Sequence, residues 1–269
     1  MSEKLGQSVI IENKAGADGL LGIRYVKTQP ADGYTLLGTA GTVAIQPAVK
    51  LDPGYDLLKD FTGVGPMVRS PVLLVEGTSQ PDKTLADFMA RAKAKPDQLT
   101  YASAGVGTTT HLGAALFLHR AGLKVMHVPY KGNGAAMTDV IAGRVTMIFE
   151  AYGSGAGKVN SGQLKALAVS STKRLPGLPD VPTMAEQGVP DYSYYLWLGL
   201  LAPAGAPKDV LTKLSEALHF ALNSKEVKDR MRDDGSEPLI MSPDEYTEFL
   251  KRDTAQMQKL VEELGIQKK

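Results

Sequence analysis

The sequence predicts an α/β protein of layered architecture. Three observations carry that reading. Residues 8–37 run strand, helix, strand, an order that suggests parallel pairing. Residues 100–170 alternate strand and helix with short connections, as a compact lobe of their own would. From residue 208 onward the pattern is helical. A length of 269 residues fits one large domain or two lobes and suffices for a substantial core.

Taken in order, residues 2–5 read as the last turn of a helix stopped by Gly6. Ser8-Val-Ile-Ile-Glu12 predicts a short buried strand. A Gly/Ala-rich stretch then leads into a helix over 20–28, with Asp18 placed to cap it. Pro30-Ala-Asp-Gly33 is a turn before a strand at 34–37. Two strands are predicted at 62–69 and 71–76. Leu85, Phe88, Met89 and Ala92 share one face of a helix over 84–95, with Pro96 just past its end. Strands at 100–103, 124–128, 145–149 and 164–169 alternate with helices at 108–121 and 135–142, which stop at Gly122 and Gly143. The aromatic, apolar stretch 192–201 reads as a strand that crosses back. Helices follow at 208–222, 225–232 and 243–264. Ser242 caps the last, and Asp244 and Glu245 lie in its first turn, where the dipole favours acids.

Composition removes several function classes. Apolar residues make up 43% and charged residues 22%, which argues against disorder. Lys+Arg is 30 against Asp+Glu 29, with no long run of one sign, so no nucleic-acid partner is expected. Cysteine is absent, which excludes disulfides, thiolate metal sites and cysteine nucleophiles. His111, His119, His127 and His219 never pair at i, i+4, so no helical two-histidine metal site is expected, and no cofactor. The most apolar run, 196–207, is short and broken by Gly199, Pro203, Gly205 and Pro207, so no membrane span is expected. The first residues contain no apolar core of a signal peptide.

Three places could carry binding. In Tyr101-Ala-Ser-Ala-Gly-Val-Gly-Thr-Thr-Thr-His111 a strand end meets two glycines and then three threonines that open a helix. Glycines let backbone amides approach a ligand, a helix N-terminus favours an anion by roughly 0.3–1 kcal/mol, and hydroxyls add donors. The candidates are Ala104, Gly105, Gly107, Thr108, Thr109 and Thr110. The same residues also suit an ordinary tight turn with a threonine cap, and both readings stand. Leu37-Gly-Thr-Ala-Gly-Thr42 offers Thr39, Ala40, Gly41 and Thr42 on the same terms. Glu150 closes an apolar strand just before Tyr152, where α/β sheets bind ligands, although a solvated loop glutamate reads the same way. Facing a ligand, Glu150 would repel a carboxylate and favour an amino or hydroxyl group.

Catalysis finds less support. His111 lies beside threonines, but no orienting acid is at hand, so it reads as a packing or hydrogen-bonding histidine. Gly153-Ser-Gly-Ala-Gly-Lys158 fails the spacing of a phosphate loop, and Gly105-Val-Gly107 fails the dinucleotide fingerprint at Thr110. No Gly-x-Ser-x-Gly elbow occurs. No catalytic residue is assigned.

Six motifs occur in order: Val9-Ile-Ile-Glu-Asn-Lys-Ala-Gly16, Ala31-Asp-Gly-Tyr-Thr-Leu-Leu-Gly-Thr39, the stretch from Tyr101 to His111, His127-Val-Pro-Tyr-Lys-Gly132, Leu178-Pro-Asp-Val-Pro-Thr183 and Trp197-Leu-Gly-Leu-Leu-Ala-Pro-Ala-Gly205. Together they resemble the Bug (TctC-like) substrate-binding proteins of tripartite tricarboxylate transporters, over essentially the whole chain.

The resemblance implies a two-lobed periplasmic binding protein fold, type II-like, with lobes joined by crossing strands. Lobe 1 would take 1–101 and 202–269, and lobe 2 would take 102–201. A small carboxylate would sit between them, held by the loop at 104–110, with 38–42 and Glu150 as further lining. The protein would be a periplasmic monomer that hands its ligand to the membrane components of the transporter. Against the family pattern, a strand, loop and helix expected before Glu3 are absent, as is an export signal. That loop is the family's other carboxylate gripper, and its absence predicts that Ile10 and Leu36 have fewer packing partners. Glu150-Ala151 also stands where many members have Asp-Asn, which bears on distal ligand specificity. Two other classes share the scaffold, a sensing subunit for a signalling partner and a hydrolase; the second lacks an assembled nucleophile, base and orienter.

Overall fold

The computed structural model describes residues 1–190, 192–233 and 235–268, with Asp233 by its backbone alone. The chain opens with α1 (Ser2–Leu5), α2 (Leu20–Lys27), β1 (Leu37–Ala40), α3 (Thr42–Val49), α4 (Leu57–Asp60) and β2 (Phe61–Gly77). It continues with α5 (Leu85–Ala94), β3 (Thr100–Ser103), α6 (Thr109–Arg120), β4 (Met126–Pro129), α7 (Asn133–Ile141), β5 (Met147–Ala151), α8 (Tyr152–Asn160) and β6 (Leu164–Val169). It ends with β7 (Tyr195–Pro203), α9 (Lys208–Asn223), α10 (Lys225–Asp233), β8 (Glu237–Pro238) and α11 (Pro243–Glu263).

Two compact units result. Unit 1 comprises Met1–Arg69, Trp197–Arg232 and Glu237–Lys269, and unit 2 comprises Ser70–Leu196 and Asp233–Ser236. The strands β2 and β7 each begin in one unit and end in the other. The first boundary thus falls at 69/70, not at the expected 101/102, and the second at 196/197. The reason is β2, whose residues from Val72 to Glu76 are bonded to β5 and β6.

In unit 1, β7 lies between β1 and β2, and β8 adds to β2 at Val68 and Arg69. β1 pairs with β7 antiparallel, Leu37 opposite Leu201 and Ala40 opposite Leu198. The core joins Leu20, Ile23 and Val26 of α2 to Val43, Phe61, Trp197, Leu201, Tyr246 and Leu250. Trp197 meets Tyr246 and Phe249 edge-on at 6.0 and 5.4 Å between ring centres. Its indole N–H donates to Asp253 Oδ2 at 3.0 Å. Burial pushes the Asp253 carboxyl up to about 6, against the lowering effect of that bond.

Unit 2 is a mixed sheet. β2 stands between β6 and β5, antiparallel to both, and β5, β3 and β4 follow in parallel. Its core gathers Leu73, Val75, Ala102, Ala136, Val140, Ile148, Tyr152 and Val169. At the β2 C-terminal end of this sheet the Arg91 guanidinium bridges buried Glu76, at 3.4 Å, and Asp82. Burial pushes Glu76 up to about 8. The opposite end, where β3, β4 and β5 finish, carries the loops described below.

Helix starts follow the caps. Thr84 and Asp87 form a reciprocal capping box on α5, and Ser242 and Glu245 another on α11. Each such cap is worth roughly 0.5–2 kcal/mol. Gly6, Gly122 and Gly143 have positive φ at helix ends, as read from the sequence.

Four expectations change. Residues 8–12 form no strand, and Ile10 and Ile11 are 86% and 88% exposed. A β-branched run becomes a strand only against a neighbour, and among the described residues β1 pairs with β7 alone. The expected parallel pair at 8–37 is therefore absent. The second strand lies at 37–40 instead of 34–37; Tyr34 is 89% exposed, whereas Leu36 packs at the edge of a small core that includes Val64 and Leu214. Asp18 does not cap α2, whose cap is Gly19; its carboxylate pairs with Lys50 at 2.7 Å. The two strands at 62–76 are one, continuous through Pro66 and Pro71. No described helix is long and apolar enough to cross a membrane.

Candidate functional site

β3 ends at Ser103, and the chain turns through Gly105 and Gly107 before α6 begins. Both glycines have positive φ, 132° and 74°, which favours glycine. Thr108 is the helix cap, and its hydroxyl oxygen accepts from the His111 amide at 3.4 Å. That hydroxyl donates to the Gly105 carbonyl at 2.7 Å. Thr108, Thr109 and Thr110 are all buried.

The amides of this loop are turned inward. Ala104 N donates to Thr110 Oγ1 at 3.2 Å, Gly105 N to Ser103 Oγ at 3.1 Å, and Gly107 N to His111 Nδ1 at 3.2 Å. The glycines therefore permit a closed, self-bonded turn; their amides are not spread toward an open face, as the sequence suggested. The hydroxyls of Thr108 and Thr110 lie 3.3 Å apart on the first turn of α6, whose positive end favours an anion.

The neighbouring strand ends lock onto this loop. Tyr130 N, past β4, donates to the Ser103 carbonyl at 3.0 Å, and Gly132 N to the Ala104 carbonyl at 3.1 Å. The Tyr194 hydroxyl donates to the Thr109 carbonyl at 2.7 Å. Asn133, the first residue of α7, accepts from the Thr110 hydroxyl at 3.2 Å and donates to Glu150 Oε2 at 2.7 Å and to the Phe149 carbonyl at 3.1 Å. Ser154 donates to Glu150 Oε1. Glu150 is buried and both its oxygens accept from protein groups, so it is neither a solvated loop acid nor an unpartnered group awaiting a ligand.

Asn133 escaped the sequence reading. Its signal was an asparagine flanked by Gly132 and Gly134 between a strand and a helix. Residues 152–160, to which the sequence reading assigned no element, form α8. Gly155 lets that helix approach Glu150, since a Cβ there would lie 3.2 Å from Glu150 Cγ and 3.2 Å from Leu73 Cδ1. Tyr152 is fully buried in the unit 2 core.

Behind the loop, the rings of His111 and His127 stack at 4.2 Å, and Tyr101 stacks on His127 at 4.7 Å. Burial, and then the neighbouring His127, push His111 down to about 3, so it is neutral at about pH 7. His127 Nε2 meets Ser103 Oγ at 2.7 Å. Ser103 is completely buried, and its hydroxyl and that of Thr108 both donate to the Gly105 carbonyl. No nucleophile is thereby activated. Among the described residues no group of three His, Cys, Asp or Glu could hold a metal ion.

In unit 1, Thr39 and Ala40 end β1, Gly41 is the N-cap of α3, and Thr42 begins that helix, which the sequence did not predict. Gly41 has φ −53° and its amide extends the ladder to the Trp197 carbonyl at 3.1 Å. Thr39 Oγ donates to the Ala40 carbonyl at 3.1 Å, and α3 has no side-chain cap.

The model described as "Tripartite tricarboxylate transporter family receptor" matches residues 1–266. The structure of the periplasmic binding protein BugD is 30% identical, with a TM-score of 0.94 over 100% of this chain and 90% of that one. A protein of R. palustris, Rpa4515, solved with adipate, is 33% identical, with a TM-score of 0.95 over 100% and 90%. MatC of Rhodopseudomonas palustris, solved with bound malate, is 29% identical, with a TM-score of 0.87 over 97% and 90%.

Proposed function

Since the chain belongs to the TctC family of tripartite tricarboxylate transporter receptors, a family of solute-binding proteins and not of enzymes, we propose that it is a receptor for a small carboxylate. The class takes in di- and tricarboxylates, aromatic acids and acidic amino acids. The observation that carries the proposal is the opening turn of α6, where Thr108, Thr109 and Thr110 stand at a helix N-terminus on a turn already closed by its own hydrogen bonds. Such a turn is pre-organised, so an anion would order little on binding. We assign one ligand carboxylate to this turn. The adipate and malate in the two similar proteins of known structure support a dicarboxylate. Action outside the cytoplasm, as a monomer that delivers its ligand to the transporter's membrane components, completes the proposal.

The test is calorimetry against succinate, malate, adipate, citrate, benzoate and glutamate. At least one should bind with a dissociation constant in the micromolar range or below. At about 100 times that concentration it should stabilise the protein by about 2.7 kcal/mol, read as a higher melting temperature. A folded sample that meets the whole set without heat or thermal shift would sink the proposal.

A further inference from the structure

We propose that Asn133 is a positioning residue of the carboxylate site, holding the 104–107 turn through Thr110. The inference rests on the receptor reading above. It begins with the order of donors and acceptors. Glu150 Oε2 and the Phe149 carbonyl accept, and both face Asn133 Nδ2, at 2.7 and 3.1 Å. An acceptor pair fixes which end of the Asn133 amide is the NH2, and so turns Oδ1 toward Thr110. Thr110 then gives its one proton to Asn133, at 3.2 Å, and its oxygen is left to accept from Ala104 N. Ala104 begins the turn that reaches Gly107 and the cap Thr108. The direction of each bond thus follows from the one before it, from Glu150 to the loop. Ser154 occupies the other Glu150 oxygen and keeps the carboxylate in place. Burial of Glu150, Thr110 and Ser103 leaves these groups few other partners.

Glu150 therefore acts on the site without touching the ligand. Asn133, on the helix that precedes β5, supplies the amide that meets this carboxylate.

Three variants test the direction of the relay. Asn133→Asp places three acceptors together, so the side chain is expelled and Thr110 loses its acceptor. Glu150→Gln alone can keep its oxygen toward Asn133 and turn its amide to Ser154, whose hydroxyl can accept. In the double variant N133D/E150Q, the amide introduced on β5 donates to the carboxylate introduced on α7, which rebuilds the contact with its direction reversed. Adipate and malate serve as probes in calorimetry. N133D should lose about tenfold or more in affinity, E150Q should stay within about threefold, and the double variant should regain most of the loss. Exchange protection of the Ala104 amide should fall and recover in the same order, and this readout needs no ligand. Wild-type affinity and protection in N133D, or a double variant no better than N133D, would overturn the inference. If the wild type binds neither probe, the receptor reading suffers, and Ala104 exchange alone decides the relay.

Discussion

The turns after β1 and β3 share a run of glycine and threonine leading into a helix, and they fold differently. After β3 the glycines adopt positive φ, Thr108 caps α6, and three amides bond within the turn. After β1 the glycine stays in the helical region, no side chain caps α3, and the Gly41 amide prolongs the sheet. The neighbouring strands account for the difference. β3 lies between two parallel strands whose ends finish beside its own, so its turn has loops to lean on. β1 has an antiparallel partner that continues past it and offers another carbonyl. A glycine–threonine run supplies the means of making a cradle, and strand direction decides whether one is made.

The largest effect expected between the two units is in their response to acid. The folded-state pKa of His111 in unit 2 lies far below the ordinary histidine value, so the unfolded chain takes up the proton first. Its contribution is complete above about pH 6.5 and is lost as pH falls toward about 3, with a slope approaching about 1.4 kcal/mol per pH unit. Asp253 in unit 1 is raised to about 6, so its contribution is complete below about pH 4 and is lost as pH rises through about 6. Between about pH 4 and 6 the two oppose. Relative to wild type, stability in urea should rise more steeply with pH in Asp253→Asn and fall with pH in His111→Gln. Parallel profiles for both variants would erase the distinction.

Next in size is the backbone. Gly105→Ala forces a side chain onto a φ of 132° and should cost about 1–3 kcal/mol, together with about tenfold in dicarboxylate affinity. Gly41→Ala, at φ −53°, carries no such strain and should cost less by both measures. Equal losses in the two would show that the turns are not different in kind.

Smaller again are the threonines. Thr108→Ala removes a cap and should cost about 0.5–2 kcal/mol in chemical denaturation. Thr42→Ala, at a helix with no side-chain cap, should cost less. The smallest change is expected from Thr39→Ala, whose hydroxyl bonds only locally to Ala40, at under about 1 kcal/mol. A calorimetric loss there as large as at Thr110 would move the weight of binding toward unit 1.

Legibility follows the same division. Most of unit 2 could be read directly, because its elements carry their own punctuation: Thr84 opens α5, Thr108 opens α6, and Gly122 and Gly143 close helices. Unit 1 was harder. Val9, Ile10 and Ile11 have strand character but no strand partner, and Pro47 within α3 hid a helix that forms because its faces are buried on several sides. In the site, the stretch 104–110 was visible as text. The contact between Glu150 and Asn133 was not, because it depends on parallel strands that bring residues 17 positions apart to 2.7 Å. The glycines of α8 gave no helical pattern to read, and that Gly155 lies against a side chain is visible only in the fold.

The division of the chain also sets an order of events at the ribosome. When residue 196 has emerged, unit 2 lacks only 233–236, and its strands can pair. Unit 1 must wait, because its core needs Trp197, Tyr246 and Leu250 against Leu20 and Ile23. Its opening helices therefore stay unmatched through most of synthesis, with the exposure to misassembly that long-range contacts bring. A ribosome-bound chain stalled late enough for residue 196 to have left the exit tunnel should already protect unit 2 from protease while leaving residues 1–69 open to it.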